Sequence, residues 1–335
     1  MTLAEVLARF DEKSALIVGD LCLDLWCTYD PELSEPSRET GIPRLAVTHY
    51  QATPGAAGTI ANNLVALGVR RVALLSVIGD DGHGYELTCA LAARRIQAGL
   101  LLQSPVVQTF TYTKLLNQRT GREDQPRLDF VNTQALPSHL EAELEKRLLE
   151  SAAEFDVIFV SDQSELNQGG VVTPGLRERI IALARSEPAK VIWVDSRKRP
   201  ELFRQVYLKP NQQEADEACQ RCFGRVDYRA LYERTEARAL VITQGAAGVL
   251  ALSSDGPFQV PAPKVQAVDI CGAGDSFSAG AAMALACGAP LEQALELGTL
   301  VAGVTIQKPG TGTASPEEVL ALAQQMKDHH GDSGH

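Results

Sequence analysis

The chain has 335 residues, 45% of them hydrophobic and 22% charged, enough to bury a large core as one big domain or two ordinary ones. Its 31 basic and 42 acidic side chains give a net charge of −11, which argues against a nucleic-acid or anionic-membrane surface. No apolar run approaches the ~20 residues of a membrane span, the N-terminus lacks a secretory pattern, and seven cysteines without metal-ligand spacing read as reduced thiols, so a cytoplasmic protein is expected.

A short apolar run at 15–20 predicts a buried parallel strand, with Asp20 and Asp24 following at its ligand-facing C-terminal end. Residues 27–39 are rich in Pro and Ser without periodicity, and 42–50 is strand-like. Thr53-Pro54-Gly55-Ala56-Ala57-Gly58 reads as a glycine-rich turn into a helix at 59–67, followed by a buried strand at 72–78 and an Ala/Leu helix to about 96. Residues 109–116 and 127–132 alternate about a polar turn, a hairpin that would join 42–50 in a small inserted sheet. From 140 the β-α units resume, with strands at 157–161, 191–195, 205–208 and 240–243 and a helix opening at Gln213. A hairpin at 249–260 and helices at 291–307 and 316–326 follow, and 328–335 reads as a frayed tail. The expected fold is α/β: a doubly wound, mostly parallel central sheet with helices on both faces, in a single domain over 1–335. The inserted β segments fall at about 22–52 and 105–133.

The most informative stretch is Gly272-Ala273-Gly274-Asp275, a glycine loop feeding an Ala-rich helix that ends at Gly288-Ala289-Pro290. A helix N-terminus offers unpaired amides and positive dipole to an anion, and glycines let the anion approach. Asp275 at that point fits a base that takes a proton from a hydroxyl; a carboxylate merely placed on the dipole is the plainer alternative. Asn211 and Glu214 fit either a capping box or oxygen ligands for Mg²⁺. Thr243-x-Gly245-x-x-Gly248 fits a strand-to-hairpin turn or a nucleotide-facing backbone. P-loop, zincin, nucleophile-elbow and dinucleotide-binding motifs are missing. Cys219 and Cys222 form one C-x-x-C with no second pair, which fits chance placement on a helix.

Taken together, Gly19-Asp20 with Asp24, the Gly55 turn, Gly79-Asp80-x-x-x-Gly84, Asn211-x-x-Glu214, Thr243-x-Gly245-x-x-Gly248 and Asp269-x-x-Gly272-Ala273-Gly274-Asp275 resemble, in order, the ribokinase-like (PfkB) carbohydrate kinases. Thr113-Lys114-Leu115, Arg127-Leu128-Asp129-Phe130 and Gly310-Thr311-x-Thr313-x-Ser315-Pro316 resemble the heptose-7-phosphate kinase branch. The resemblance implies an ATP- and Mg²⁺-dependent kinase for a hydroxyl of a sugar or sugar phosphate, with a monovalent cation as a further candidate. It implies Asp275 as base, the Gly272, Ala273 and Gly274 amides as anion hole, and Asn211 and Glu214 for the metal. Asn211, Thr243, Gly245, Gly248, Lys308 and Gly310 would border ATP, and Asp20, Asp24, Gly55 and Ala56 the sugar. The inserted β segments would be a lid that pairs two copies into a homodimer. Departures fall on the sugar side: Gly55-Ala56-Ala57-Gly58-Thr59 replaces Gly-Gly-Ala-Ala-Asn, and Ser161-Asp162-Gln163-Ser164-Glu165-Leu166 lacks the branch's lysine. Asp195-Ser196-Arg197 replaces Asp-Pro-Lys. Glu165 beside a missing lysine weighs against a phosphorylated acceptor, and a non-catalytic sugar or nucleotide sensor, or a kinase for a nucleoside-like alcohol, are the alternative readings.

Overall fold

In the computed structural model, which describes residues 1–166 and 169–331, the strands in chain order begin with β1 (Ser14–Gly19), β2 (Leu21–Asp30), β3 (Ala46–Ala56), β4 (Arg71–Leu75), β5 (Val77–Gly79), β6 (Leu102–Ser104) and β7 (Phe110–Asn117). They continue with β8 (Leu128–Phe130), β9 (Val157–Asp162), β10 (Val191–Ser196), β11 (Tyr207–Leu208), β12 (Ala239–Thr243), β13 (Val249–Ser253) and β14 (Gly256–Val260). The helices are α1 (Leu3–Ala8), α2 (Ala57–Ala66), α3 (Gly82–Ala93), α4 (Ser138–Ser151), α5 (Pro174–Ser186), α6 (Gln212–Phe223), α7 (Tyr228–Thr235), α8 (Ala273–Ala286), α9 (Leu291–Thr305) and α10 (Pro316–Gly331).

The main sheet runs β14-β13-β12-β11-β10-β9-β1-β4, parallel from β12 to β4 and antiparallel at the β12-β13-β14 end. β1 shows why both faces must be covered. Ala15 and Ile17 point into one apolar core with α2, α8 and α9, while Leu16 and Val18 point into a second core with α4 and α5. Chain order reverses between β1 and β9, and a ligand crevice is expected outside the carboxyl ends of strands at such a point.

The second sheet, β3-β2-β7-β8, covers that crevice. Here the expectations need two corrections. Residues 53–56 are not a turn: β3 runs through them, pairing Leu21 with Ala56 and Asp24 with Thr53, and α2 starts at once at Ala57. Pairing with β2 outweighs the local Pro and Gly signals, and Pro54 is tolerated because β3 is an edge strand. The same pairing carries β2 through Asp30, so Asp24 stands within a strand of the covering sheet. The strand expected at 72–78 is broken at Ser76, whose hydroxyl donates to the Gly19 carbonyl at 2.6 Å; β5 then leaves to pair with β6. At the C-terminus α10 extends to Gly331, so 328–331 is helix rather than a frayed end, and 332–335 lie outside the described residues.

Candidate active site

α8 begins at Gly272, which sits at φ +76°, where any side chain is strained and a Cβ would lie 3.0 Å from Thr59 of α2 and 3.4 Å from Thr311. No side chain caps this helix. The Ala273 amide donates to the Ile270 carbonyl at 3.2 Å, which leaves Gly272 and Gly274 as the donors open to a ligand. Asp269 braces the loop from behind: its carboxylate accepts from the Cys271 amide at 2.9 Å and the Gly310 amide at 3.2 Å. One turn inside, Phe277 lies against Trp193 of β10, ring centroids 6.1 Å apart, which seats the helix start over the sheet edge.

Asp275 opens into a cavity of about 200 Å³ lined by Asp24, Trp26, Ala56, Thr59, Tyr112, Lys114, Arg127, Gln163, Arg197, Cys271, Gly272 and Thr311. Burial, then the neighbouring Asp195, push the Asp275 carboxyl up to about 8 against the opposing pull of Lys209. Asp24 is raised to about 6, chiefly by burial, while Lys114 and Arg127 hold it down. Gly55 is required under Asp24, because a Cβ there would sit 2.4 Å from the carboxylate. Ala56 takes a positive φ of +51° where β3 meets α2. Lys114 lies over the Trp26 ring at 4.2 Å and Arg127 over the Tyr112 ring at 5.0 Å, so the covering sheet presents its cations on aromatic supports.

Asp20 lines a small hollow with Cys22, Ala56, Tyr112, Gln163 and Ser164. It is buried, and its carboxylate accepts from the amides of Gln163, Ser164 and Val171 at 2.8, 2.8 and 2.7 Å. Asn211 and Glu214 form the capping box of α6: each side chain accepts from the other's amide, at 2.9 and 2.8 Å. Thr243 bridges to Asn211 on the same sheet edge. Gly245 and Gly248 make the turn into β13, and a Cβ on Gly248 would strike the Val260 carbonyl. Lys308 clamps its own loop by donating to the Thr313 carbonyl at 2.6 Å and pairing with Glu318 at 2.7 Å, while Gly310 lies 3.9 Å from the Trp26 ring by its would-be Cβ.

The pfkB family carbohydrate kinase profile matches residues 13–318. This chain belongs to that family. It is 32% identical over 97% of its length to the bifunctional protein HldE of Geobacter metallireducens and 32% identical over 96% to that of Caulobacter sp. strain K31, spanning 65% of each. Among solved structures it resembles ribokinase from Thermotoga maritima (TM-score 0.70, 21% identity, 93% of this chain and 99% of that one). It resembles equally phosphofructokinase-2 from Escherichia coli solved with potassium (TM-score 0.70, 19% identity, 94% and 99%). No helix among the described residues is long and apolar enough to cross a membrane.

In this member of the family the site residue that sequence reading missed is Lys209. It is buried, pairs with Asp195 at 2.8 Å, and its ammonium lies 3.4 Å from where a Gly274 Cβ would be. Burial alone would lower it, yet Asp195, Glu214 and Asp275 together hold it above its ordinary value. Its signal was only its place two residues before Asn211. The carboxylates of Asp195, Glu214 and Asp275 outnumber this one ammonium, and burial followed by Asp195 raises Glu214. That surplus of acceptor oxygens fits a divalent cation arriving with phosphates. No group of three or more metal-ligating side chains occurs among the described residues, so any such ion takes part of its shell from its ligand or water.

Proposed function

We propose that the chain transfers the terminal phosphoryl group of ATP to a hydroxyl of a phosphorylated sugar, in the class of heptose 7-phosphate. The observation that carries this reading is the cavity, where Asp275 and Asp24 face Lys114, Arg127 and Arg197. The lysine missing from 161–166 is replaced in effect by Arg197 and by two cations from the covering sheet, which offsets the weight that loss carried against a phosphorylated acceptor. Asp24 orients a sugar hydroxyl, Asp275 takes the proton of the attacking one, and the Gly272 and Gly274 amides with the α8 dipole hold the charge that arrives. Lys209 adds a fixed positive charge beside that hole. Glu214, with Asn211, would hold Mg²⁺, which neutralises the phosphates when bound. This division of labour suits phosphoryl transfer, which needs positioning and charge neutralisation rather than a covalent intermediate. The covering sheet acts as a lid and pairs two copies into a dimer.

The test is ADP release with a panel of neutral sugars, sugar phosphates including heptose 7-phosphates, and nucleosides. Turnover is expected with sugar phosphates, with kcat/KM at least about 10-fold above that of the matching neutral sugars, the equivalent of one charge-assisted contact. Equal turnover of neutral sugars, or turnover of nucleosides alone, would refute the assignment of the acceptor class.

A further inference from the structure

Beneath the cavity two buried carboxylates and one arginine grip a single short piece of backbone. Asp20 takes the amides of Gln163 and Ser164. Asp162, fully buried, accepts from the Ser196 hydroxyl at 2.6 Å and from Arg199 at 2.6 Å. Arg199 in turn donates to the carbonyls of Ser164 and Leu166, at 3.1 and 2.9 Å. The amides of Gln163 and Ser164 and the carbonyls of Ser164 and Leu166 are thus taken, which holds the segment in one register. That register sets two side chains. Gln163 lines the cavity, and Glu165 accepts from the Arg197 guanidinium at 2.8 Å, on a cation that itself lines the cavity.

Building on the proposed phosphorylated acceptor, we infer that Glu165 is a specificity-determining residue that occupies Arg197 until an anionic acceptor displaces it, and that Asp20 is the residue that positions it. The charges support this. Arg127 is held by Asp129 through two contacts at 2.7 and 2.6 Å and Lys114 lies over the Trp26 ring, whereas Arg197 is held by the single Glu165 contact, so a phosphate competes for it against one carboxylate oxygen. The Glu165–Arg197 pair can be exchanged because its side chains are 63% and 43% exposed, where ion pairs are weak. A phosphate offers Arg197 two oxygens and more charge than a carboxylate. A neutral sugar has nothing to exchange and leaves the pair closed.

The experiment is calorimetric titration of inorganic phosphate into the full chain and its variants. Glu165→Gln, an exposed substitution, should tighten phosphate binding about 2–5-fold, the range of a weak ion pair. The gain should vanish in Glu165→Gln/Arg197→Ala, which separates this site from any phosphate held at the α8 loop. In an Asp20→Asn background one accepting oxygen is left for the Gln163, Ser164 and Val171 amides, so the segment loosens and the gain from Glu165→Gln should fall to less than half. Unchanged or weaker phosphate binding in Glu165→Gln overturns the role of Glu165, and a full gain in the Asp20→Asn background overturns that of Asp20. Both readouts are binding, so they judge the inference even if no sugar phosphate is turned over, an outcome that would sink the assignment of the acceptor class separately.

Discussion

Asp275, the proposed base, is held by the fold in surroundings that oppose its ionisation. Its carboxyl titrates near 8 because burial and Asp195 disfavour the anion, whereas an unfolded aspartate ionises near 4. Stability from the protonated form is therefore complete below about 4 and is lost as pH rises through about 8. Asp275→Asn should lower kcat by about 10²–10⁴-fold, the usual contribution of a general base. It should also raise the melting temperature by an amount near zero at pH 4 and growing towards pH 8; a variant destabilised equally at both pH values would contradict this. In the wild type, kcat/KM for the acceptor should climb with pH, pass half its maximum near 8 and level off above it, and a flat profile from 6 to 9 would remove Asp275 from the base role. Lys209 has the opposite balance. Lys209→Met leaves the buried Asp195 without its cation, which should cost about 3–5 kcal/mol in chemical denaturation along with most of kcat.

At the scale of elements, α8 holds its place because it and α9 approach through glycines. A Cβ on Gly298 would lie 2.8 Å from the Phe277 ring, and one on Gly280 would lie 2.8 Å from Val301 and 3.2 Å from Gly298 itself. Gly298→Ala should therefore cost about 1–3 kcal/mol through overpacking. Because Phe277 is two residues from Asp275, kcat should drop with little change in acceptor KM; an unaltered melting temperature and kcat would show that the helices simply part. The α8 loop and helix were legible from sequence because their signals are local: glycines, an Ala run, and a Gly-x-Pro stop. Residues 53–58 were misread for the converse reason. Their strand state comes from pairing with β2 some 30 positions earlier, which no window of composition contains. The cations of the cavity were hidden in the same way, since Lys114 and Arg127 reach it only through the β2–β7–β8 pairing. Asn211 and Glu214 were readable as a capping box, which the structure contains, and their second reading as metal ligands depends on Asp195 and Lys209, distant in sequence.

For the whole molecule, the decisive relation is between the main sheet and the one lying across its switch point. The first supplies Asp275, Lys209 and Arg197 from strand ends and a helix start; the second supplies Asp24 and Lys114 from mid-strand and Arg127 from just before β8. Under the proposed function, acceptor recognition depends on the covering sheet keeping its shape, and that sheet is only half supported. Over residues 47–51 of β3 every side chain is exposed, Val47 by 47% and Tyr50 by 53%, and at the far edge β8 exposes Leu128 and Phe130. An edge strand bare on both faces is a template for pairing and is normally blunted or covered. A second copy meeting it through the same face would cover both and form a closed symmetric pair. Tyr50→Asp should then shift sedimentation from dimer to monomer at micromolar concentration. It should also raise acceptor KM several-fold while leaving KM for ATP unchanged, because only the cavity wall formed by the covering sheet loosens. A wild type that sediments as a monomer with full activity would mean that β2 and β7 hold the sheet on their own.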